Sequence, residues 1–248
     1  MRITNHINKT FGILGLPNSG TSIVCNIFNS FENGFCISEP LRSLDSSLCH
    51  LRFDKLTGSI PPVYSSIIPT INKLVKHSKK FKIGGLKETL QLNNCKYSNE
   101  LIHNRLIDII IFVFRDPLYH FNSICKQDVA NKPTIRDYNK EYIRLIEQYD
   151  KSRAIKPTYF LKYEELCEKK ERYFCEFCGD MKMEYDDFTI KPTNYEMGHK
   201  IANKSIEIKY SNNDVSYITE QDKDGLLYDL GCYYHNDLYN HKSYIPFG

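Results

Sequence analysis

The stretch "ILGLPNSGTSIV", residues 13–24, decides how this chain is read. An apolar run ends at Gly15, four residues follow, Gly20 closes the turn, and hydroxyls stand at Ser19, Thr21 and Ser22. Ile23, Val24, Ile27 and Phe28 then recur at helical spacing, so the pattern predicts a buried strand, a tight turn and a helix. A glycine-rich turn of this kind aims backbone N–H groups outward, and the helix N-terminus adds partial positive charge. Together they can hold a phosphate. An ATP-binding loop of the same outline places a lysine after the second glycine and a hydroxyl on magnesium. Here Thr21 stands at the lysine position. The loop can grip a phosphate but is poorly equipped for ATP chemistry, and a plain strand–turn–helix with two glycines fits the same letters.

Outward from this loop, short apolar runs alternate with helical spacings. "FGILGL", "GFCISEP" (ending at Glu39-Pro40), "FKIGGLK", "IIIFVF" and "TYFLKY" read as strands. "TSIVCNIFNSF", "SSIIPTINKLVKHSKK", "NELIHNRL", "YHFNSICKQ", "YNKEYIRLIEQYDKS" and "EELCEKKERYFCEFCG" read as helices. This alternation predicts an α/β fold with a central parallel sheet flanked by helices on both faces. Ligands of such sheets bind beyond the carboxyl ends of the strands, so the loops after the first four strands should meet at one site. Past residue 180 the patterns weaken. The expectation is one domain, 1–248, with a loop-rich C-terminal part from about 181.

Composition sets broad limits. Apolar residues make up 41% and charged residues 25%, ordinary for a soluble globular protein. A net charge of +3 is too small to argue for nucleic acid. No segment approaches the ~20 apolar residues that span a bilayer, and "MRITNHINKT" lacks a signal-peptide pattern. A cytoplasmic protein is expected. The nine cysteines are scattered, and Cys25, Cys125 and Cys175 sit inside apolar patterns, where Cys packs as a small hydrophobe. The lone "CEFC" pair, Cys175 and Cys178, has no second pair with which to build a zinc site and reads as helix interior. No metal is expected.

A second motif bears on the loop. "IIIFVFRDPLYHFNSICKQ" ends a buried strand at Arg115 and places Ser123 eight residues later on the next helix. A guanidinium and a hydroxyl so placed can clasp one phosphate, although an exposed Arg-Asp turn with a surface serine fits as well. With both motifs in view, the sequence resembles the sulfotransferase family. Pro17, Asn18, Ser19, Gly20, Thr21 and Ser22 match its 5′-phosphosulfate loop, P-[KR]-S-G-T-[ST], except at Asn18. Arg115, Asp116, Pro117 and Ser123 match its 3′-phosphate motif. "YFLKYEEL" (159–166), "FCEFCGD" and the closing "DLGCYYH" are weaker landmarks in family order.

The resemblance implies a P-loop-type three-layer sandwich. It also implies the donor 3′-phosphoadenosine 5′-phosphosulfate (PAPS), the product 3′-phosphoadenosine 5′-phosphate, and no magnesium. Glu39, at the end of the second strand, falls where related carbohydrate and tyrosylprotein sulfotransferases carry a catalytic glutamate. It is the expected general base, taking a proton in concert with transfer because a free glutamate has a pKa of only ~4.3. A strand-end salt bridge with Arg42 is the competing explanation. Lys87, read as following the third strand, matches a family lysine near the sulfate, though the proline of that motif is missing. His50, His103 and His120 are alternative bases. "MGHKIANKSIEIKY" resembles the family's nucleotide-covering loop and brings in Asn203, Lys204 and Lys209.

Asn18 keeps a donor but loses the charge the family carries there, so either another cation, such as Lys87 or Lys204, compensates, or the protein binds nucleotide with little turnover. Three readings stand: a sulfotransferase acting on a carbohydrate or other small-molecule hydroxyl, a P-loop kinase for a nucleotide or small molecule, and a catalytically silent nucleotide-binding protein.

Overall fold

The structure, a computed structural model, describes residues 9–31, 33–39, 82–90, 95–127, 132–183, 195–197, 200–202 and 216–226. Strands β1 (Lys9–Gly15), β2 (Gly34–Ser38), β3 (Ile83–Thr89), β4 (Ile109–Phe114) and β5 (Thr158–Lys162) form one sheet in the order β2-β3-β1-β4-β5. All four pairings are parallel. Helices α1 (Thr21–Ser30), α2 (Lys96–His103), α3 (Pro117–Gln127), α4 (Ile135–Arg153) and α5 (Tyr163–Asp180) cover the sheet. A hairpin, β6 (Tyr195–Met197) with β7 (Lys200–Ala202), and a short helix α6 (Glu220–Leu226) follow.

β4 shows why the chain folds this way. Its six residues, IIIFVF, are all buried, and they serve two cores alternately. Ile109, Ile111 and Val113 pack with α1 and α5 residues such as Phe28, Phe174 and Phe177. Ile110, Phe112 and Phe114 pack with Leu101, Phe121, Tyr142 and Tyr149 from α2, α3 and α4. A strand buried on both faces needs such a continuous apolar run, so no polar alternation is left to see. β2 lies at one edge of the sheet. There Asn29 of α1 doubles as a strand partner: its Oδ1 accepts the Cys36 N–H at 2.9 Å and its Nδ2 donates to the Cys36 carbonyl at 2.7 Å. The amide pair satisfies the sheet edge at Cys36, in the middle of β2.

Three details differ from the sequence reading. Lys87 lies inside β3, which continues to Thr89, rather than after it. Lys170 breaks α5 with φ 47 and ψ −122, although no glycine or proline marks the spot. Cys175 is half-buried and Cys178 is the buried member of the CEFC pair. The helix expected over "SSIIPTINKLVKHSKK" lies outside the described residues. Among the described residues no helix is long and apolar enough to cross a membrane.

Candidate functional site

Sheet register brings the strand ends to one level. Gly15 pairs with Thr89 on one side and Val113 on the other, Ser38 pairs with Lys87, and Phe114 pairs with Lys162. From β1 the chain passes to β2 and β3 on one side and then crosses over to β4 and β5 on the other. Open α/β sheets bind ligands at such a switch point, at the carboxyl ends of their strands. Glu39 and Lys87 stand on one flank of the 16–20 loop, Arg115 and Tyr163 on the other.

The loop is pinned from behind by its carbonyls. The Ser19 N–H bonds the Leu16 carbonyl at 3.2 Å. His120 Nε2 donates to the Pro17 carbonyl (2.7 Å), and Arg115 Nη1 donates to the Asn18 carbonyl (3.1 Å). Ile23 and Val24 already bond the Gly20 carbonyl, while the N–H groups of Thr21 and Ser22 open α1, where no intrahelical acceptor exists. Asn18 has φ 66, in the left-handed region, where Asn is among the least strained non-glycine residues. Among the described residues Arg115 is the cation in contact with this loop's backbone.

Two polar atoms, Ser19 Oγ of the loop and Arg115 Nε beside it, are buried without hydrogen-bond partners. A buried unsatisfied donor costs about 1–3 kcal/mol, a cost that a bound anion would remove, so the residues present fit a phosphate-bearing ligand. Gly15 is required by close approach: a Cβ there would lie 2.6 Å from both Ser19 Oγ and Thr21 Cγ2, and 2.9 Å from the Val113 carbonyl oxygen. Since Val113 is backbone of the central sheet, it cannot yield. Gly15→Ala is therefore expected to destabilise the protein by about 1–3 kcal/mol and to displace the loop. Chemical denaturation and a titration with 3′,5′-ADP check both effects.

Glu39 sits at φ 52, a conformation costly for a non-glycine residue. Its N–H bonds the Lys87 carbonyl at 2.6 Å, and Lys87 Nζ donates to Glu39 Oε1, which also lies 3.4 Å from Thr89 Oγ1. The carboxylate is thus held by β3 through both backbone and side chain. Among the described residues Glu39 pairs with Lys87, and Arg42 lies outside them.

His120 is fully enclosed. Its Nε2–H goes to Pro17, so Nδ1 is the acceptor for the Tyr138 hydroxyl at 3.0 Å. Burial, reinforced by the Arg115 charge, lowers its pKa to about 4 despite the Pro17 hydrogen bond, which acts the other way. With both ring nitrogens engaged it positions the loop rather than accepting a substrate proton. His103 is exposed at the end of α2, where the chain turns back into the amino-terminal end of β4, away from the carboxyl ends that frame the loop. Ser123 is half-buried on α3, three residues beyond His120, and so lies near the same face of that helix. His50, Asn203, Lys204 and Lys209 lie outside the described residues.

With the strand order, the loop and Arg115 in place, comparison of the folds becomes informative. A sulfotransferase domain from the olefin synthase of Synechococcus PCC 7002 superposes with a TM-score of 0.53, over 75% of this chain and 78% of that one. The fold is sulfotransferase-like. Sequence identity over the match is 15%, so the likeness is one of architecture. No protein-family model matches the chain, and no curated protein matches it in sequence. Within this sulfotransferase-like fold, several residues that hold the site carried no local signal. Tyr142 donates its hydroxyl to the Arg115 carbonyl (2.8 Å), and Glu164 Oε1 accepts the Asp116 N–H (2.9 Å). Glu164 belongs to the "YEEL" landmark, whose sequence alone gave no role.

Proposed function

We propose that this chain transfers a sulfuryl group from PAPS to a hydroxyl of a carbohydrate or other small molecule. The observation that carries the reading is the contact of Arg115, at the carboxyl end of β4, with the backbone of the Pro17–Ser22 loop on a sulfotransferase-like fold. PAPS would supply the sulfuryl group and leave as 3′-phosphoadenosine 5′-phosphate. The loop N–H groups with Ser19, Thr21 and Ser22 would hold its 5′ end, and Arg115 with Ser123 its 3′-phosphate. Asn203 and Lys204 would cover the nucleotide.

Glu39 would accept the proton of the acceptor hydroxyl at its carboxylate, which offers about four lone-pair sites, enough for Lys87, Thr89 and a substrate together. Lys87 both orients that carboxylate and brings positive charge to the flank of a loop whose Asn18 has none. Arg115, anchored to the Asn18 carbonyl, adds a second cation. Charge held in place in this way stabilises a developing anion without reorganisation.

The test is a calorimetric titration with 3′,5′-ADP and with ATP, each with and without magnesium. Expected is metal-independent binding of 3′,5′-ADP that falls by about 10–100-fold in Arg115→Ala, the loss of a charge-assisted pair. ATP binding that equals or exceeds it and requires magnesium would replace this reading with a kinase. Binding of 3′,5′-ADP with no turnover of labelled PAPS over an acceptor panel would leave a silent nucleotide-binding protein.

A further inference from the structure

Tyr163 opens α5 directly after β5, and its ring meets two parts of the site that are distant in sequence. The Arg115 guanidinium lies over it, 4.9 Å from the ring centroid. On the loop side the ring occupies the place a Cβ of Gly20 would take, and Gly20 has φ 97. The next residue, Glu164, holds the N–H of Asp116 beside Arg115. Arg115 therefore has its Nη1 on the loop, its planar face on Tyr163 and its carbonyl on Tyr142. Its buried Nε is left unpartnered.

We infer that Tyr163 is a positioning residue for the anion site: its ring sets the spacing between Gly20 of the loop and the Arg115 guanidinium, with Glu164 fixing the turn beneath. This rests on the proposed function for the identity of the anion, but the physical claim concerns Arg115. A guanidinium stacked on an aromatic face and tied at one nitrogen has little rotamer freedom left to lose when it takes a phosphate. The same ring explains why the loop's second glycine cannot gain a side chain. Both contacts are made by the ring, so a phenylalanine, which loses only the hydroxyl's hydrogen bond with Cys167, keeps the spacing.

The experiment is a double-variant cycle read by calorimetry on the full chain, with 3′,5′-ADP and inorganic pyrophosphate as probes. Tyr163→Leu is expected to weaken 3′,5′-ADP roughly tenfold, the scale of a desolvated cation–π contact. In the Arg115→Ala background the same substitution should change nothing further. Tyr163→Phe should restore affinity to within about twofold of the parent, since it keeps the ring face. Equal loss in both backgrounds would mean that the ring touches the nucleotide itself, and would overturn the inference, as would no loss at all. Pyrophosphate separates the two levels of the claim. Binding of pyrophosphate with the same dependence on Arg115, but none of 3′,5′-ADP, removes the sulfotransferase reading and leaves the role of Tyr163 standing. Binding of neither probe overturns both. Should Tyr163→Leu fail to fold, as judged by its thermal transition, Glu164→Ala with Glu164→Gln as its rescue completes the same cycle. A loss independent of Arg115 again counts against the inference.

Discussion

Replacing Glu39 with alanine is expected to lower the unfolding free energy by about 3–5 kcal/mol, the scale of breaking a buried ion pair from one side. The two partners are unequally buried: the Lys87 side chain is 2% exposed and that of Glu39 is 27% exposed. Loss of the carboxylate therefore strands a buried ammonium on β3, near Cys36 of β2. Loss of the lysine in Lys87→Met leaves a carboxylate that water and Thr89 can reach, so it should cost less than Glu39→Ala. The double variant Glu39→Leu/Lys87→Met should regain most of the stability, because neither charge is then left alone. Alanine is the informative choice, since glycine would also relieve the φ of 52 and mix two effects. Denaturant unfolding of the four proteins decides the matter, and a Glu39→Ala cost below about 1 kcal/mol would mark the pair as a screened surface contact. Glu39→Gln separates folding from chemistry. It keeps an acceptor for Lys87 but cannot take a proton, so in the proposed reaction turnover should fall by about 10²–10⁴-fold with little change in 3′,5′-ADP affinity.

This pair also shows where the sequence stops being informative. β4 is legible because a doubly buried parallel strand must be a continuous apolar run, and the loop is legible because Gly15 and Gly20 answer to close approach and to backbone conformation. Arg115 could be singled out because it stands where such a run stops. Lys87 is different. A lysine in "IGGLKETL" reads as the end of a strand, and its burial depends on a carboxylate 48 residues away in sequence. No local period encodes that. Tyr163 likewise reads as one more aromatic at the edge of a core, until the fold sets Gly20 and Arg115 against its ring. His120 looks like a candidate base in the sequence because nothing there shows that Tyr138 and the Pro17 carbonyl occupy both of its nitrogens. The break at Lys170 has no signal for a related reason: helical spacing continues on both sides of it, and the strained conformation involves a residue type that ordinarily favours helix. In each case the missing information is a contact between segments that the chain brings together only after the sheet has formed.

His120 makes the fold sensitive to acid, and the sign follows from its surroundings. In the unfolded chain its imidazole titrates near 6.5; in the folded protein, burial and the nearby Arg115 guanidinium hold the pKa at about 4. Between those values the unfolded chain binds a proton that the native protein refuses. Stability is therefore fully present above the unfolded value and falls as the pH drops through this window. A shift of this size corresponds to about 3 kcal/mol in total, with about 2 kcal/mol already lost at pH 5. Other groups work in the opposite direction: burial raises the carboxyl pKa values of Glu141 and Asp150, so the native state gains protons there as pH falls. The comparison that isolates His120 is with His120→Gln, which can keep a donor for the Pro17 carbonyl but does not titrate. Unfolding free energies measured from pH 7.5 down to 5 should decline more steeply in the parent than in the variant, by about 2 kcal/mol over the interval. Parallel slopes would mean that the ring is reached by water and does not hold the loop. Because the native ring stays neutral down to about pH 5, His120 should give 3′,5′-ADP affinity no different pH dependence in the parent than in the variant over this range, which separates an effect on folding from one on the folded loop.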